Sequence, residues 1–383
     1  TLGDFANTAT VAYVESIVGG TGSDTITLAS ALNASDSINL GAGADKLTLA
    51  DIFNTGSVSN VETLVGGVDS DTITIATQAS NASIDLGGGY DSLTFGNFAN
   101  TATVANVESL TGGTGADTIT LGSEASYASI DLAAGSDVLT LGNFANVVTV
   151  SNVETLTGGS ANDTVTLGSA TVSSNTIDLG AGNDTLTLGD FTNAVSISNV
   201  ETIIGGAGAD TVTIANAMTK GSIDLGDSAD SLTFGDFANT ATVANAESVL
   251  GGSANDTITL ATALNGTDII NLGAGADKLI LGHFANAGSV ANVETLTSGS
   301  DSDSITFATQ AVNALIDLGA NVDTVTFGNF ANTATVANVE SIVGGTSSDT
   351  VTYTTAAAGV TIDLGAGADS LTFGNFTNSA TLH

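Results

Sequence analysis

The sequence predicts an all-β protein, a parallel β-solenoid in which short strands stack coil upon coil. One Glu-containing segment recurs along the chain with a period of about 46 residues. Short runs such as Thr118-Ile119-Thr120-Leu121 alternate between polar and apolar residues with a period of two. Glycine, asparagine and serine bound these runs, and no stretch has a helical pattern. Proline is absent, which suits strands that are hydrogen-bonded on both sides.

The repeat extends over the whole chain, and glutamates mark it at Glu15, Glu62, Glu108, Glu154, Glu201, Glu247, Glu294 and Glu340. Such a period is typical of a solenoid, in which each repeat contacts only its neighbours and length is not limited by a single core. The segment GDFANTATVA occurs at both 3–12 and 235–244, which indicates duplication of larger blocks. We therefore expect one continuous repeat array over residues 1–383. Both termini fall within a repeat, so we expect a segment of a longer chain.

Each repeat contains two similar halves, as residues 107–121 and 130–141 show. Both halves have an acidic residue, a glycine loop, an aspartate and then a short strand. Stacked coils should place like residues over like. The halves therefore predict a β-roll-like solenoid of about 16 coils of about 23 residues, in eight double-coil repeats of about 46 residues. The alternative is one four-stranded coil per repeat.

One phenylalanine per repeat occupies a turn between strands. We predict that these rings fill corners of the core, and the alternative is an exposed row that stacks on carbohydrate. The positions are Phe5, Phe53, Phe98, Phe144, Phe191, Phe237, Phe284, Phe330 and Phe376.

The charge balance excludes several classes of partner. The chain has 40 acidic and 3 basic residues, a formal net charge of −37. Nucleic acids and anionic membrane surfaces both require Lys and Arg, so we expect neither as a partner. No apolar run reaches the roughly 18 residues of a membrane helix, so we expect no membrane insertion. Without cysteine there are no disulfides and no thiolate metal sites.

An aspartate follows each glycine loop, and a shorter interval alternates with a longer one, as from Asp24 to Asp45 and from Asp45 to Asp71. Carboxylates stacked about 4.8 Å apart repel each other by roughly 0.9 kcal/mol per pair in water, and by more at a protein surface. Three lysines cannot neutralise such a row, whereas Ca²⁺ accepts six to eight oxygen ligands in flexible geometry. We therefore predict Ca²⁺ at these loops, and the alternative is a metal-free stack like an asparagine ladder. The predicted ligands are Asp24, Asp45, Asp71, Asp91, Asp117, Asp137, Asp163, Asp184, Asp210, Asp230, Asp256, Asp277, Asp303, Asp323, Asp349 and Asp369.

A second set of acids precedes the loops, and its members are either further ligands or solvated surface groups. It comprises the eight repeat-marking glutamates with Asp85, Asp131, Asp178, Asp224, Asp317 and Asp363, while Asn39 and Asn271 stand at the two equivalent positions.

The loops resemble those of a known family. GGTGSDTIT (19–27), GGTGADTIT (112–120) and GGAGADTVT (205–213) match the calcium-binding nonapeptide G-G-x-G-x-D-x-U-x of RTX-type proteins. LGAGADKLT (40–48) and LGAGNDTLT (179–187) lack only the first glycine. The resemblance implies ions held by loop aspartates and loop carbonyls of successive coils. The family's nonapeptides stand back to back, whereas only one occurs here per half-repeat, so we expect calcium along a single edge.

The resemblance, with the acidic, cysteine-free composition, implies a calcium-stabilised structural protein of the bacterial cell surface or extracellular matrix. An S-layer, a filament or sheath, or an adhesin stalk would fit, exported by type I secretion. We expect self-association, end to end or lateral. The alternative is a ligand-binding adhesin, with a cell-surface glycan as partner, or an ice-binding solenoid with outward Thr-x-Thr pairs. We do not expect an enzyme, because an active site is normally unique whereas these acids repeat throughout.

Overall fold

The structure is a computed structural model that describes all 383 residues. It divides into two compact units, Thr1–Gly189 with Ser198–Val200, and Asp190–Ile197 with Glu201–His383. Both units consist of short strands and turns without helices. The prediction of one continuous array over residues 1–383 stays a prediction.

The strands of the first unit are β1 (Thr8–Val11), β2 (Ser16–Val18), β3 (Thr25–Leu28), β4 (Ser37–Asn39), β5 (Lys46–Thr48), β6 (Thr55–Ser59), β7 (Thr63–Gly67), β8 (Thr72–Ile75), β9 (Ser80–Gly87), β10 (Ser92–Phe95), β11 (Thr101–Ala105), β12 (Ser109–Thr111), β13 (Thr118–Leu121), β14 (Ser126–Asp131), β15 (Val138–Thr140), β16 (Val147–Ser151), β17 (Thr155–Gly159), β18 (Thr164–Leu167), β19 (Asn175–Gly180) and β20 (Thr185–Thr187).

The strands of the second unit are β21 (Ala194–Ser198), β22 (Thr202–Gly206), β23 (Thr211–Ile214), β24 (Thr219–Gly226), β25 (Ser231–Phe234), β26 (Thr240–Ala244), β27 (Ser248–Leu250), β28 (Thr257–Leu260), β29 (Ile269–Asn271), β30 (Lys278–Ile280), β31 (Ala287–Ala291), β32 (Thr295–Thr297), β33 (Ser304–Phe307), β34 (Ala314–Asp317), β35 (Thr324–Phe327), β36 (Thr333–Ala337), β37 (Ser341–Val343), β38 (Thr350–Tyr353), β39 (Ala358–Asp363), β40 (Ser370–Phe373) and β41 (Ser379–Leu382).

Within each unit the odd-numbered strands form one parallel sheet, here called the first sheet. The even-numbered strands form the second sheet. The chain alternates between the sheets, so each coil contributes one strand to each, and the two units together make about 19 turns. The predicted all-β parallel solenoid is therefore confirmed.

Each coil contains fewer residues than the predicted 23 or so. Residues that pair on adjacent strands of one sheet lie one coil apart, and such pairs are Thr8 with Thr25, Thr72 with Ser92, and Ser16 with Ser37. The prediction of about 16 coils in eight double-coil repeats is not confirmed, and neither is one four-stranded coil per repeat. The structure places five strands, or two and a half coils, in each sequence repeat, as β7 to β11 show.

The strand that was not predicted from the sequence follows the phenylalanine turn. Residues 101–105, TATVA, form β11, which lies in the longer interval between loop aspartates. The small inward residue Ala102 weakens the apolar signal of this segment, while register with the long strand β9 still secures it.

The core lies between the two sheets and consists of inward side chains in register. Leu64, Ile84, Val104 and Leu121 stack on successive coils and are all buried. Burying each such side chain contributes about 1.5–3 kcal/mol relative to exposure. The narrow, repetitive core therefore holds the two sheets together along each unit.

The predicted corner role of the phenylalanines is wrong. The nine turn phenylalanines are 37 to 82% exposed. In the turn of residues 96–100, the ring of Phe98 lies against Gly96, where an added Cβ would come within 3.0 Å of the ring. The side chain that enters the corner is Asn100, which is fully buried. The turn needs a hydrogen-bonding group inside, so the apolar ring lies outside.

Candidate metal centre: buried carboxylate ladders

The loop aspartates belong to short ladders of polar side chains that connect successive coils. In the ladder that begins at Asn100, its N–H donates to Asp117 Oδ1 at 2.8 Å. The N–H of Asp117 donates to Asp137 Oδ1 at 2.7 Å, and that of Asp137 to Glu154 Oε2 at 2.8 Å. Each coil thus receives a side-chain acceptor from the following coil at the point where the chain turns into a strand.

The asparagine at the start of the ladder completes the bonding of the turn. The amide nitrogen of Asn100 donates to Asp117 Oδ1 at 2.9 Å and to the carbonyls of Gly96 and Phe98. Its amide oxygen accepts the N–H of Ala79 at 3.0 Å. These asparagines were not predicted from the sequence, although an F-A-N or F-T-N segment at a constant spacing before an aspartate marks most of them.

The same ladder occurs eight times and includes all sixteen predicted aspartates. The others are Asn7–Asp24–Asp45–Glu62, Asn54–Asp71–Asp91–Glu108, Asn146–Asp163–Asp184, Asn193–Asp210–Asp230–Glu247, Asn239–Asp256–Asp277–Glu294, Asn286–Asp303–Asp323–Glu340 and Asn332–Asp349–Asp369.

Consecutive ladders lie at opposite edges of the coil. Asp117 and Asp137 precede strands of the first sheet, β13 and β15. Asp71 and Asp91 precede strands of the second sheet, β8 and β10. The expectation that the loop aspartates line a single edge is therefore wrong, because a repeat of two and a half coils places the next ladder at the other edge; calcium at these loops stays a prediction.

The second set of acids does not form one row. Six of the glutamates end ladders, whereas five of the six aspartates of this set bind asparagines one coil further on. Asp85 Oδ1 accepts the amide of Asn106 at 2.7 Å and the N–H of Gly87 at 3.1 Å. Asn106 has a φ of 54°, a left-handed conformation that asparagine tolerates. These outer aspartates are partnered surface groups.

The ladder aspartates are unusual in their burial. Fifteen of the sixteen are 0 to 3% exposed, and Asp369 alone is exposed. Their Oδ1 atoms accept hydrogen bonds, but Oδ2 is buried without a partner in Asp24, Asp45, Asp71, Asp91, Asp137, Asp163, Asp210, Asp230, Asp277, Asp323 and Asp349. A buried carboxylate oxygen without a donor is costly, so these atoms call for a proton or a cation.

Burial also shifts the protonation of the second aspartate in most ladders. The pKa of Asp137 is raised to about 6, chiefly by burial; the hydrogen bond from the Asp117 N–H opposes this rise, and repulsion from Asp117 and Glu154 adds to it. The pKa is likewise raised to about 6 at Asp91, Asp230, Asp277 and Asp323, again chiefly by burial. The folded chain therefore favours a neutral or cation-bound second aspartate.

Glycine lets a carbonyl and a carboxylate oxygen approach the same point of the loop backbone. A Cβ added to Gly112 would come within 2.5 Å of the Leu132 carbonyl oxygen and 2.7 Å of Asp117 Oδ2, too close for a side chain. Ca²⁺ accepts both kinds of oxygen as ligands. No group of three or more His, Cys, Asp or Glu side chains is placed to hold a metal. A calcium ion here would therefore need backbone carbonyls among its ligands.

Comparison with known proteins adds no family to this picture. No family model matches the chain, and no curated protein matches it. The resemblance to RTX-type loops therefore rests on the nonapeptides alone. No helix in the structure is long and apolar enough to cross a membrane.

Replacing Asn100 with alanine should lower the stability by about 2 kcal/mol or more, because it leaves the Ala79 N–H and the Phe98 carbonyl without partners, at about 1–3 kcal/mol for each buried group. Urea unfolding at a fixed calcium concentration measures this. Asn97→Ala in the same turn is the control, since Asn97 is exposed and its loss should change stability by less than about 0.5 kcal/mol. Equal midpoints for both variants would contradict the assigned role of Asn100.

Acidification of the metal-free chain from pH 7 to pH 5 should raise its melting temperature, by on the order of 5 °C. Five second aspartates, Asp91, Asp137, Asp230, Asp277 and Asp323, have a pKa of about 6 when folded and an ordinary value of 3.8, so the folded state binds protons first. The stabilisation that comes from protonating these aspartates in the folded state is fully present below their unfolded pKa. This stabilisation is lost as the pH rises through 6. Thermal unfolding followed by circular dichroism at pH 5, 6 and 7 tests this.

Asp137→Asn is the matched control for that titration. The amide is neutral at every pH, so at pH 7 in metal-free buffer the variant should melt above the wild type. Its melting temperature should also rise less than that of the wild type on acidification. A wild-type melting temperature that falls between pH 7 and pH 5 would show that the buried pairs do not govern the pH dependence.

Proposed function

We propose that this chain is a calcium-stabilised structural protein of the bacterial cell surface or extracellular matrix, such as an S-layer, filament or sheath component or an adhesin stalk. The observation that carries the proposal is the set of buried aspartate pairs, present in seven of the eight ladders, whose Oδ2 atoms mostly have no partner. In the proposal, one Ca²⁺ per ladder lies beside the paired carboxylates and the facing backbone carbonyls.

The charge balance supports a cation more than a proton under neutral conditions. A pKa of about 6 leaves most second aspartates ionised at pH 7. The chain has only three basic residues against 40 acids, so it cannot supply the compensating charge itself. A divalent ion neutralises both members of a pair at once, and its oxygen preference matches carboxylate and carbonyl groups.

A structural role follows from repetition. The ladders are chemically alike along each unit, so no one position is set apart as a catalytic site would be, and we propose no enzymatic activity. Type I secretion to a calcium-rich exterior would let the chain fold after export, since binding that favours the folded state adds to stability. The secretion route rests on the RTX resemblance alone.

Self-association is the second part of the proposal. Each repeat exposes one phenylalanine at a turn, and successive repeats present it at opposite edges, as Phe98 before β11 and Phe144 before β16 show. Apolar rings spaced regularly on both edges provide for lateral contacts between copies. Electron microscopy in calcium should show ordered assemblies. Monomers alone at high concentration would count against this part of the proposal.

The alternative function, a ligand-binding adhesin or an ice-binding solenoid, has one specific observation in its favour. Thr103, Thr120, Thr140 and Thr157 stand in register on four successive coils of the first sheet. Threonine also suits exposed strand positions for reasons of propensity alone. Thermal hysteresis together with a glycan screen distinguishes the two, and a positive result in either assay would favour the alternative.

Removal of calcium at pH 7 should destabilise the fold and lower its melting temperature. Without the ion, most ladders hold buried, ionised and unpartnered carboxylates, a cost that recurs along a fold of ordinary marginal stability. Far-ultraviolet circular dichroism at pH 7, before and after chelation and after return of excess Ca²⁺, measures this. Magnesium at equal concentration is the control for ionic strength. A β-spectrum and melting temperature unchanged by chelation would overturn the calcium dependence.

A further inference from the structure

One of the eight ladders differs from the others at a single position next to the first aspartate. Five residues before that aspartate, seven ladders have a glycine, at Gly19, Gly66, Gly112, Gly158, Gly205, Gly251 and Gly344. The ladder of Asp303 has Ser298 there. The serine keeps the backbone bond of the glycines, because the N–H of Ser298 donates to the Asp317 carbonyl as that of Gly251 donates to Asn271.

The serine hydroxyl gives the first aspartate a side-chain partner that the glycines cannot supply. Ser298 Oγ donates a short hydrogen bond to Asp303 Oδ2 and lies 3.5 Å from the amide nitrogen of Asn286. Asp303 is almost fully buried, with an exposed fraction of 3%. At Gly251, by comparison, a Cβ would lie 2.8 Å from Asp256 Oδ2 and 2.2 Å from the Leu272 carbonyl oxygen.

The oxygen that Ser298 satisfies lacks a good partner in the other ladders. Oδ2 has no partner in the fully buried aspartates Asp24, Asp71 and Asp349, nor in Asp163 and Asp210. In Asp117 and Asp256 it receives only a long backbone contact, at 3.3 and 3.4 Å. These unpartnered, buried oxygens point to a ligand that the serine ladder does not need.

We propose that Ser298 substitutes for the cation in the Asn286–Asp303–Asp323–Glu340 ladder, so that this ladder binds no Ca²⁺ while the glycine ladders do. The inference rests on the proposed calcium function and specifies which ladder stands outside it. The hydroxyl hydrogen provides the positive partner for Asp303 Oδ2 that an ion would otherwise supply. Asp323 Oδ2 in the same ladder stays buried without a partner, so the hydroxyl replaces the ion at the first aspartate of the pair.

The test compares the wild type with two reciprocal variants in the full chain. Ser298→Gly restores the residue found in the other seven ladders, so it should fold in excess Ca²⁺. It should bind one more ion per chain than the wild type. Gly251→Ser places the hydroxyl beside Asp256, within the same unit, and should bind one ion fewer. Equilibrium dialysis against Ca²⁺ alone, with metal analysis of the protein compartment, gives the stoichiometry.

The melting temperature is a second measurement. It separates the role of the hydroxyl as a partner of Asp303 from its role in replacing Ca²⁺. In metal-free buffer Ser298→Gly should melt below the wild type, since Asp303 Oδ2 loses its partner, and excess Ca²⁺ should raise its melting temperature by more. If Gly251→Ser does not fold, the number of Ca²⁺ ions bound by Ser298→Gly still tests the inference. A wild type that binds several ions with an unchanged count in Ser298→Gly overturns this inference alone. A wild type that binds none overturns the proposed function as well.

Discussion

The fold depends on a hydrogen bond that joins successive coils at the turns, from a backbone N–H to the aspartate Oδ1 of the following coil. At these points the chain leaves one sheet, and its N–H has no strand partner. Asp117 shows the arrangement in full: its N–H donates to Asp137 Oδ1, and its carbonyl accepts the N–H of Val138. One residue therefore both closes the turn and starts the next strand pair, which fixes the register of the coils.

The ladders have a direction that follows from their chemistry. Asparagine begins each ladder because its amide can donate to the aspartate and also accept a backbone N–H, as Asn100 does with Asp117 and Ala79. A glutamate ends the ladders that are described to their fourth member, and its longer side chain reaches the last N–H from a half-buried position. The two aspartates between them carry the buried charge. The same residues that hold the coils in register thus create the need for a cation or a proton.

The sequence was sufficient to predict the class of fold and the residues of the site, but not their arrangement. Period-two alternation and the long repeat predicted parallel strands, and the glycine loops identified all sixteen ladder aspartates. The number of strands per repeat could not be predicted, because the alanine-containing strand β11 has a weak apolar pattern. The asparagines were missed for a different reason. Their role is set by neighbours on the preceding and following coils, such as Ala79 and Asp117 for Asn100, and these become visible only when the coil length is known.

The half-integral repeat limits the electrostatic cost of so many carboxylates. An integral number of coils per repeat would place all the pairs at one edge, where each would stand close to the next. With two and a half coils, pairs at the same edge recur only every second repeat, as from Asp24 before β3 to Asp117 before β13, which is five coils. At about 4.8 Å per coil this is roughly 24 Å, well beyond the Debye length of about 8 Å at physiological salt. Repulsion between ladders is therefore screened, while repulsion within a ladder is not, because its members lie on adjacent coils and are buried. The unfavourable repulsion between carboxylates is therefore confined to eight separate ladders. Each ladder can be stabilised on its own, by an ion, by a proton or by a hydroxyl group such as that of Ser298.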